Sequence, residues 1–341
     1  MKDLSVIIVN YRSWDKLTRC LDALAAIRAN YFSFEVIVVD NSLQVGKLNE
    51  LRGIFPQYTF LLNSGNYGFA SGNNLGAANS NGKYLLFLNP DTLISERALL
   101  AMLDQVKVSR ANSIISCRLL MANGTENKSY GVFPSPLSLT RWTRAVAKVF
   151  NLIPEPRQND RFIFPDWVSG SVMMMSKTSF NTVGKWNERF WMYYEDVDLC
   201  RRSADLGGAV ILLKNIALVH DHNASSGSDA EITSLTKTEA LISEHEYISL
   251  HEDGLKEVLM HTFIILNNLV SRLVSAIPGL ILFSNRRCVI ANKVFVRLLI
   301  YYFNAFIHDT WISPRSLKHP ESYQFRIQAD KNLSAIRDEN S

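Results

Sequence analysis

The sequence predicts an α/β fold with an open, mostly parallel central sheet flanked by helices, followed by a C-terminal helical region. Residues 4–120 alternate between short β-rich runs and stretches with apolar residues at helical spacing, the order found in parallel sheets covered by helices. The run EVIVVD at 35–40 is apolar almost throughout, as expected for a strand covered on both faces. Polar residues follow each predicted strand, at the edge where such sheets bind ligands.

Four strand–helix pairs account for this first part of the chain. A strand at 5–10 precedes a helix at 16–27, in which leucines and an isoleucine recur about one turn apart. The later pairs are a strand at 35–40 with a helix at 48–55, a strand at 59–63 with a helix at 73–79, and a strand at 83–89 with a helix at 96–106. The residues at the strand ends are Asn10 and Tyr11, Asp40 and Asn41, Asn63, and Asn89 to Asp91.

The next part of the chain has a different amino-acid composition. The stretch 122–166 contains two glycines and five prolines, which predicts a long excursion, either a lid or acceptor-binding region or a surface insertion without a role. A strand at 168–176, a helix at 195–206 that stops at two glycines, and a strand at 209–213 with a further apolar run at 217–220 follow.

The region 231–318 is predicted to be helical, apolar and basic, and residues 319–341 form a polar tail. Its longest apolar stretch, 263–283, is interrupted by residues that a membrane-spanning helix rarely carries together, Asn267, Asn268, Arg272 and Pro278. With the second apolar stretch at 294–307, this pattern predicts peripheral membrane contact or self-association through 263–307. The alternative interpretation is that these helices form a bundle packed on the preceding domain, because such a bundle has the same pattern of apolar residues.

Composition and charge exclude several classes of protein. The 341 residues are 47% hydrophobic and 20% charged, so the chain is neither disordered nor fibrous. A net charge of +4 does not require nucleic acid as a partner. The four cysteines lie far apart without a CxxC pair, and no secretory signal is visible at the N-terminus, so we expect a reducing, cytoplasmic location.

The densest group of candidate catalytic residues lies at 190–202. Glu195, Asp196 and Asp198 open a predicted helix directly after the aromatic residues Trp191 and Tyr194. The helix dipole alone explains one or two of these acids. A carboxylate beside aromatic side chains also suits a general base that deprotonates a hydroxyl next to a stacked sugar or base.

Two further patterns indicate phosphate and metal binding. The glycine- and asparagine-rich stretch 63–74 permits close approach of the backbone to a phosphate, although such stretches are often ordinary loops. Asp91 follows a buried strand and can hold a divalent cation through oxygen, but it needs a partner from elsewhere in the chain. His220, at the end of a later apolar strand, is the candidate partner, although a histidine in such a place is more often structural.

Seven motifs in order resemble those of glycosyltransferase family 2 enzymes with the GT-A fold, in particular the rhamnosyltransferase-like group. They are VIIVNY, EVIVVDNS, NSGNYGFASGNN, YLLFLNPD, DWVSGSVMMM, FWMYYEDVDLCRR and VHDHNASS, and they cover roughly residues 4–226. The resemblance implies a catalytic domain at 1–230, with a part that binds a nucleotide sugar at 4–120 and an acceptor and catalytic part at 121–230.

The resemblance also assigns roles to residues. It implies donor binding by Asn10, Tyr11, Asp40, Asn41, Gly68, Phe69, Asn74, Asn89 and Asp91. It implies that Trp167, Ser169, Gly170, Trp191 and Tyr194 lie near the acceptor and the donor sugar. Asp196 is implied as the catalytic base with Glu195 beside it, and Asp91 and His220 as ligands of Mg²⁺ or Mn²⁺. Asn89 replaces the first acid of the family's Asp-x-Asp motif, which puts the affinity for metal in doubt.

We therefore expect an inverting transferase that moves a sugar from a nucleotide-diphosphate donor to a hydroxyl of a lipid-linked or cell-surface polysaccharide precursor. The favoured donor is dTDP-L-rhamnose, which supplies L-rhamnose. We expect the reaction to take place at the inner face of the cytoplasmic membrane. Another nucleotide sugar, such as a UDP-linked hexose or galactofuranose, remains an alternative. A catalytically weak polysaccharide-binding protein on the same fold is the other. An NAD-dependent oxidoreductase is disfavoured because no glycine-rich turn follows the first strand, and the basic glycine-rich start of a nucleotidyltransferase is not visible.

Overall fold

The computed structural model describes residues 2–220, 230–281 and 286–320. Its strands are β1 (Lys2–Asn10), β2 (Phe34–Asp40), β3 (Thr59–Leu62), β4 (Gly82–Leu88), β5 (Thr92–Leu93), β6 (Ile114–Leu120), β7 (Glu126–Asn127), β8 (Tyr130–Gly131), β9 (Arg157–Gln158), β10 (Phe162–Phe164), β11 (Trp167–Val168), β12 (Val172–Ser176) and β13 (Val210–His220). Its helices are α1 (Trp14–Ala25), α2 (Val45–Ile54), α3 (Gly68–Ala78), α4 (Glu96–Val108), α5 (Arg141–Val149), α6 (Lys177–Thr182), α7 (Glu195–Asp205), α8 (Ala230–His251), α9 (Gly254–Ile281) and α10 (Arg286–His308).

The central sheet is mixed, and its long strands pair mostly in parallel, as the sequence predicts. The strand order is β3-β2-β1-β4-β12-β6-β13-β10-β9, with β5 beside β13 and β7 beside β6. Strands β1 to β4 are mutually parallel, and β6 is parallel to β13, whereas β12 runs antiparallel between β4 and β6. This arrangement brings the C-terminal ends of β1, β2 and β4 to one edge of the sheet.

Helices cover both faces of the sheet, which explains the apolar strands. Alternate side chains of a strand point to opposite faces. Accordingly Leu4, Val6 and Ile8 of β1 belong to a core cluster that includes residues of α1, α2 and α4. Ile7 belongs to a second cluster that includes residues of α3, α6 and α7.

The elements differ from the sequence-based expectation at several places. The predicted strand at 168–176 is interrupted by a turn at 169–171, which separates β11 from β12. Helix α3 begins at Gly68 rather than at 73, and β6 was not predicted. Strand β13 runs through both of the short apolar runs at 209–220, with one irregularity between Leu213 and Ala217. Asp221, His222 and most of the predicted polar tail lie outside the described residues.

The C-terminal region is helical, as predicted, and packs on the sheet domain through α8. Ser243 Oγ donates a hydrogen bond to the Met192 carbonyl oxygen at 2.8 Å, and Tyr194 Oη donates to Glu244 Oε1 at 3.3 Å. Among the described helices, α10 alone has the length and apolar composition to cross a membrane, and 28% of its most apolar stretch is buried inside the protein. Because α10 packs against α8 and α9, its apolar character also has an ordinary structural explanation.

Candidate active site

A network of short polar side chains joins the ends of β1 and β2. Asn10 Nδ2 donates to Asp40 Oδ1 at 3.1 Å, and Ser42 Oγ donates to the same carboxylate at 2.8 Å. Asn10 and Asp40 are fully buried, whereas Tyr11 is 45% exposed. The carboxylate of Asp40 is therefore held in a fixed orientation by Asn10 and Ser42, and Tyr11, which follows Asn10 in the chain, has an accessible side chain.

A second network joins β2, β3 and the start of α3. Asn41 Nδ2 donates to the Gly68 carbonyl oxygen at 3.0 Å, and Asn63 Nδ2 donates to Asn41 Oδ1 at 3.0 Å. Asn41 is a buried side chain that satisfies a backbone group of the next segment. The asparagines of the motif thus fix where α3 begins.

Gly68 lies against the segment that precedes the acidic cluster. Its φ is +91°, and a Cβ atom at this position would lie 2.0 Å from the Trp191 carbonyl oxygen. The same oxygen accepts a hydrogen bond from the Phe69 amide at 3.2 Å. Only glycine combines this φ with so close an approach, so the start of α3 and Trp191 are mutually positioned.

Asn74, in α3, contacts the segment that leads to Trp191. Its amide donates to the Trp186 carbonyl oxygen at 2.9 Å and to Glu188 Oε1 at 2.8 Å, and it accepts from the Trp186 amide at 3.2 Å. Phe69 packs edge-on against Trp186, with 5.4 Å between the ring centroids. These contacts give both side chains a role in holding the loop that leads to Trp191.

The turn between β11 and β12 connects the predicted donor segment to the predicted base. The Asn89 amide donates to the Ser171 carbonyl oxygen at 2.9 Å, and Asn89 Nδ2 donates to Ser171 Oγ at 3.2 Å. The Gly170 amide donates to Asp196 Oδ2 at 2.9 Å. Ser169 Oγ lies 2.9 Å from Ser171 Oγ. The structure therefore brings Asn89 and Asp196 to opposite sides of the turn that contains Gly170.

The acids at the start of α7 lie in an unusual environment. Burial, and then the neighbouring Asp196, raise the pKa of Glu195 well above its ordinary value. Burial also raises the pKa of Asp196, although the hydrogen bonds from the Gly170 and Val197 amides oppose that rise. Raised pKa values of this kind are typical of carboxylates that serve as catalytic acids or bases. The preceding Tyr193 and Tyr194 have φ values of +71° and +65°, a backbone conformation that is costly for side chains of this size.

Trp167 and Trp191, two of the aromatic candidates, are held by their indole nitrogens. Trp167 Nε1 donates to the Val132 carbonyl oxygen at 2.8 Å, and Trp191 Nε1 donates to the Asn66 carbonyl oxygen at 3.0 Å. Trp191 is almost fully buried. Its ring lies beneath the guanidinium of Arg315, 5.4 Å from the centroid.

Asp91 and His220, 129 positions apart in the sequence, are in contact. Asp91 Oδ1 lies 2.9 Å from His220 Nε2, and Asp91 Oδ2 lies 3.5 Å from Lys16 Nζ. Two ligands in neighbouring positions of an octahedral Mg²⁺ site stand about 3 Å apart, so the separation and the donor atoms fit a shared divalent cation. Among the described residues, no group of three or more metal-binding side chains is present. The pair therefore fits a cation only if other ligands come from a substrate.

Helix α8 contributes contacts that sequence reasoning missed. His251 Nε2 lies 2.9 Å from Asp198 Oδ1, and Arg202 contacts the other oxygen of this carboxylate at 2.6 Å. Burial raises the pKa of Glu244, which accepts from Tyr194 Oη, to about 7. These residues hold the acidic end of α7 from the side of the C-terminal region. Lys16, which lies beside Asp91, was also missed, because its position in the sequence carries no motif signal.

Comparisons with known proteins agree with the motifs. Residues 5–173 match the model of the family "Glycosyl transferase family 2". The low-salt glycan biosynthesis hexosyltransferase Agl10 of Haloferax volcanii is 31% identical over 211 residues, which are 60% of this chain and 62% of that protein. The rhamnosyltransferase WbbL of Escherichia coli is 28% identical over 209 residues, which are 58% of this chain and 75% of that protein. The chain thus spans less than two thirds of the first of these relatives.

The fold also has a counterpart among solved structures. The crystal structure of GalNAc-T7 with UDP, GalNAc and Mn²⁺ superimposes with a TM-score of 0.52 at 12% identity, over 70% of this chain and 48% of that one. At this identity the likeness concerns the fold alone. It confirms the α/β architecture of the GT-A type that the motifs imply.

Proposed function

We propose that this chain, which belongs to glycosyl transferase family 2, is an inverting glycosyltransferase that uses a nucleotide-diphosphate sugar. The observation that carries the proposal is the turn at Ser169–Ser171, which binds Asn89 on one side and Asp196 on the other. One turn thereby holds the segment suited to a diphosphate and a carboxylate suited to a base. Positioning of this kind supplies much of the rate in bimolecular transfer.

The strand-end network is suited to the nucleoside part of the donor. Asp40 is fully buried and fixed by Asn10 and Ser42, so it holds in place the strand ends against which we propose that the nucleoside binds. Tyr11, which follows Asn10 in the chain, is exposed and offers a face for the base. Asn89 and Asp91 lie at the end of β4, where the diphosphate would follow.

The proposed reaction is a single displacement. The acceptor hydroxyl oxygen attacks the anomeric carbon of the sugar and gives its proton to the carboxylate of Asp196. The bond between that carbon and the diphosphate oxygen breaks, and the electron pair leaves with the nucleoside diphosphate. Attack opposite the leaving group inverts the configuration at this carbon. The raised pKa of Asp196 makes the carboxylate a stronger base than one in water.

A divalent cation fits this scheme. Asp91 and His220 would hold Mg²⁺ or Mn²⁺, and the bound ion would neutralise charge on the departing diphosphate. Lys16, which lies 3.5 Å from Asp91 Oδ2, places a further positive charge at the same position. Together these groups suit a site for a diphosphate.

The names of the two relatives guide the choice of substrates. One relative is named a hexosyltransferase and the other a rhamnosyltransferase, and we favour dTDP-L-rhamnose as the donor. The acceptor we propose is a lipid-linked or cell-surface polysaccharide precursor. This choice agrees with the exposed apolar side chains of the C-terminal helices α9 and α10.

We place the protein in the cytoplasm, in peripheral contact with the inner face of the cytoplasmic membrane. One exposed stripe of α9 comprises Leu255, Leu259, Phe263, Leu266 and Val270, and one of α10 comprises Val296, Ile300, Phe303 and Ile307. Apolar stripes of this size on helices that also carry lysine and arginine favour a lipid interface. Flotation of the full chain with anionic vesicles tests this, with Phe263→Glu and Phe303→Glu as variants. A concentration-dependent dimer without flotation would favour self-association instead.

The catalytic proposal is tested with the purified protein and a panel of nucleotide sugars. We expect slow release of free nucleoside diphosphate from one donor, dependent on Mg²⁺ or Mn²⁺. We also expect that donor to raise the melting temperature, because a ligand that binds only the folded state stabilises it. If no nucleotide sugar on the panel stabilises the protein or is hydrolysed, the proposal is wrong.

A further inference from the structure

A cavity of about 360 Å³ lies between the active-site segment and the C-terminal helices. Its walls come from five parts of the chain: Asn66 with Tyr67, Trp191, helix α8, helix α10, and the segment 314–317. This volume falls in the range of about 300–1,000 Å³ that is usual for small-molecule sites. Neither the proposed donor site nor the proposed base lies in its lining.

The wall formed by the helices combines apolar side chains with the polar Thr238, Glu239, Arg297 and Asn304. Leu235 and Ile242 of α8 face the cavity, together with Ile300 and Tyr301 of α10. Ile300 is 56% exposed and belongs to the stripe of α10 that includes Val296, Phe303 and Ile307. The apolar part of this wall therefore continues from the inside of the cavity onto the face of α10 that we assign to the membrane.

The opposite wall carries positive charge beside an aromatic ring. Arg315 lies over Trp191 and 3.4 Å from the carboxylate of the buried Glu239, which also accepts from Ser313 Oγ at 2.8 Å. Arg315 is about half exposed, and a guanidinium has five N–H donors in a plane, more than one contact at Nε uses. A second guanidinium in the lining, that of Arg297, belongs to the helix wall, because Arg297 lies in α10 and contacts Glu231 of α8.

We propose that this cavity binds the carrier end of the acceptor, a phosphate ester of a long-chain apolar alcohol. The phosphate lies at Arg315 and Arg297, where planar donors match its oxygens. The chain follows Leu235 and Ile242 and leaves past Ile300 toward the lipid surface. The sugar of such an acceptor then projects past Trp191 toward Asp196, five residues further along the chain. This inference rests on the proposed function, because it names the class of acceptor for that reaction.

The test measures binding without turnover. Isothermal titration of the full chain compares farnesyl phosphate, below its micelle concentration, with farnesol and with inorganic phosphate. We expect farnesyl phosphate to bind at least tenfold more tightly than either of the other two, because it alone supplies both the charge and the apolar chain. Equal affinity for farnesyl phosphate and inorganic phosphate would overturn the proposal.

Two variants locate the site, and two matched variants serve as controls. Arg315→Gln removes the charge, and Leu235→Trp fills space from a half-buried position; each should weaken farnesyl phosphate binding at least tenfold. The control for charge is Lys293→Gln, because Lys293 contacts the same Glu231 as Arg297. The control for size is Leu299→Trp, on the exposed face of α10. Each control should change the affinity for farnesyl phosphate less than about twofold. Melting curves establish that each variant is folded. Wild-type affinity in both Arg315→Gln and Leu235→Trp would overturn the proposal.

Donor hydrolysis, measured in parallel on the wild-type chain, separates the two claims. A protein that hydrolyses a nucleotide sugar but does not bind farnesyl phosphate would refute the cavity assignment alone. A protein that binds farnesyl phosphate through Arg315 but turns over no nucleotide sugar would refute the proposed function instead.

Discussion

Replacement of Gly68 by alanine perturbs the contact that positions the acidic segment. A Cβ atom at this position would lie 2.0 Å from the Trp191 carbonyl oxygen, whereas Cβ contacts under 3.0 Å are essentially never seen. The two segments must therefore separate by at least 1.0 Å. The φ of +91° is also one that alanine rarely adopts.

The expected loss of stability follows from these two effects. A non-glycine residue in a sparsely populated backbone region costs about 1–3 kcal/mol. Loss of the hydrogen bond from Phe69 N to Trp191 O adds about 1 kcal/mol. The sum is about 2–4 kcal/mol, which corresponds to a fall in melting temperature of about 4–16 °C in a domain of this size. A displacement of about 1 Å near reacting groups lowers the turnover rate about a hundredfold.

Gly53→Ala is the matched control. Gly53 lies in α2, and a Cβ atom there would have no neighbour within 4 Å. Alanine in place of glycine within a helix stabilises it by about 0.5–1 kcal/mol, so the same substitution should raise the melting temperature. Calorimetry and donor turnover on both variants test the reasoning. If Gly68→Ala melts at or above the wild-type temperature with normal turnover, the contact with Trp191 has no positioning role.

Three further predictions concern other residues of the site. Burial raises the pKa of Glu244 from 4.5 to about 7. The protonated side chain therefore contributes its full stabilisation below about pH 4.5, and this contribution is lost as the pH rises through 7. The free energy of unfolding falls by at most about 3 kcal/mol over that range. Glu244→Gln should therefore gain melting temperature over wild type at pH 8 but not at pH 4.5, and an equal gain at both values would contradict the assignment. His251→Ala should lower stability by about 1–3 kcal/mol and also lower kcat, because it removes one partner of buried Asp198; unchanged kcat would limit His251 to a structural role. Removal of divalent cations with EDTA should abolish turnover, and His220→Ala should raise the Mn²⁺ concentration needed to restore it; activity that is indifferent to EDTA would refute the metal assignment.

The sequence predicts the sheet well because its signals are local. Polar residues that end neighbouring parallel strands must meet at one edge, so the proximity of Asn10 and Asp40 follows from strand order alone. The contact of Asp91 with His220 also agrees with the sequence-based pairing. The roles of these residues stay predictions.

Tertiary contacts explain what the sequence does not predict. Helix α3 begins at Gly68 although glycine and asparagine are poor helix formers, because Asn41 and Trp191 bind its first residues. Within the region that the sequence predicts to be helical, apolar and basic, all four polar side chains at 243–246 are buried. They are buried because α8 lies between the acidic segment and the other C-terminal helices, and this position is set by contacts far apart in sequence.

The turn at 169–171 is a further case of this kind. The apolar residues on both sides of it predict one strand, although the sequence Ser169-Gly170-Ser171 is itself a local turn signal. The turn forms where Asn89 and Asp196 both bind it. The feature that matters most for the proposed reaction thus depends on contacts between segments far apart in the sequence.

The central claim is that Asp196 is the base, and Asp196→Asn tests it most directly. The amide keeps the size of the side chain and its oxygen still accepts from the Gly170 amide, but it cannot take a proton. Donor affinity is measured by titration and transfer by release of nucleoside diphosphate in the presence of acceptor. The account predicts donor affinity within about twofold of wild type and a loss of about 10²–10⁴ in kcat. Transfer at a near-normal rate would contradict it.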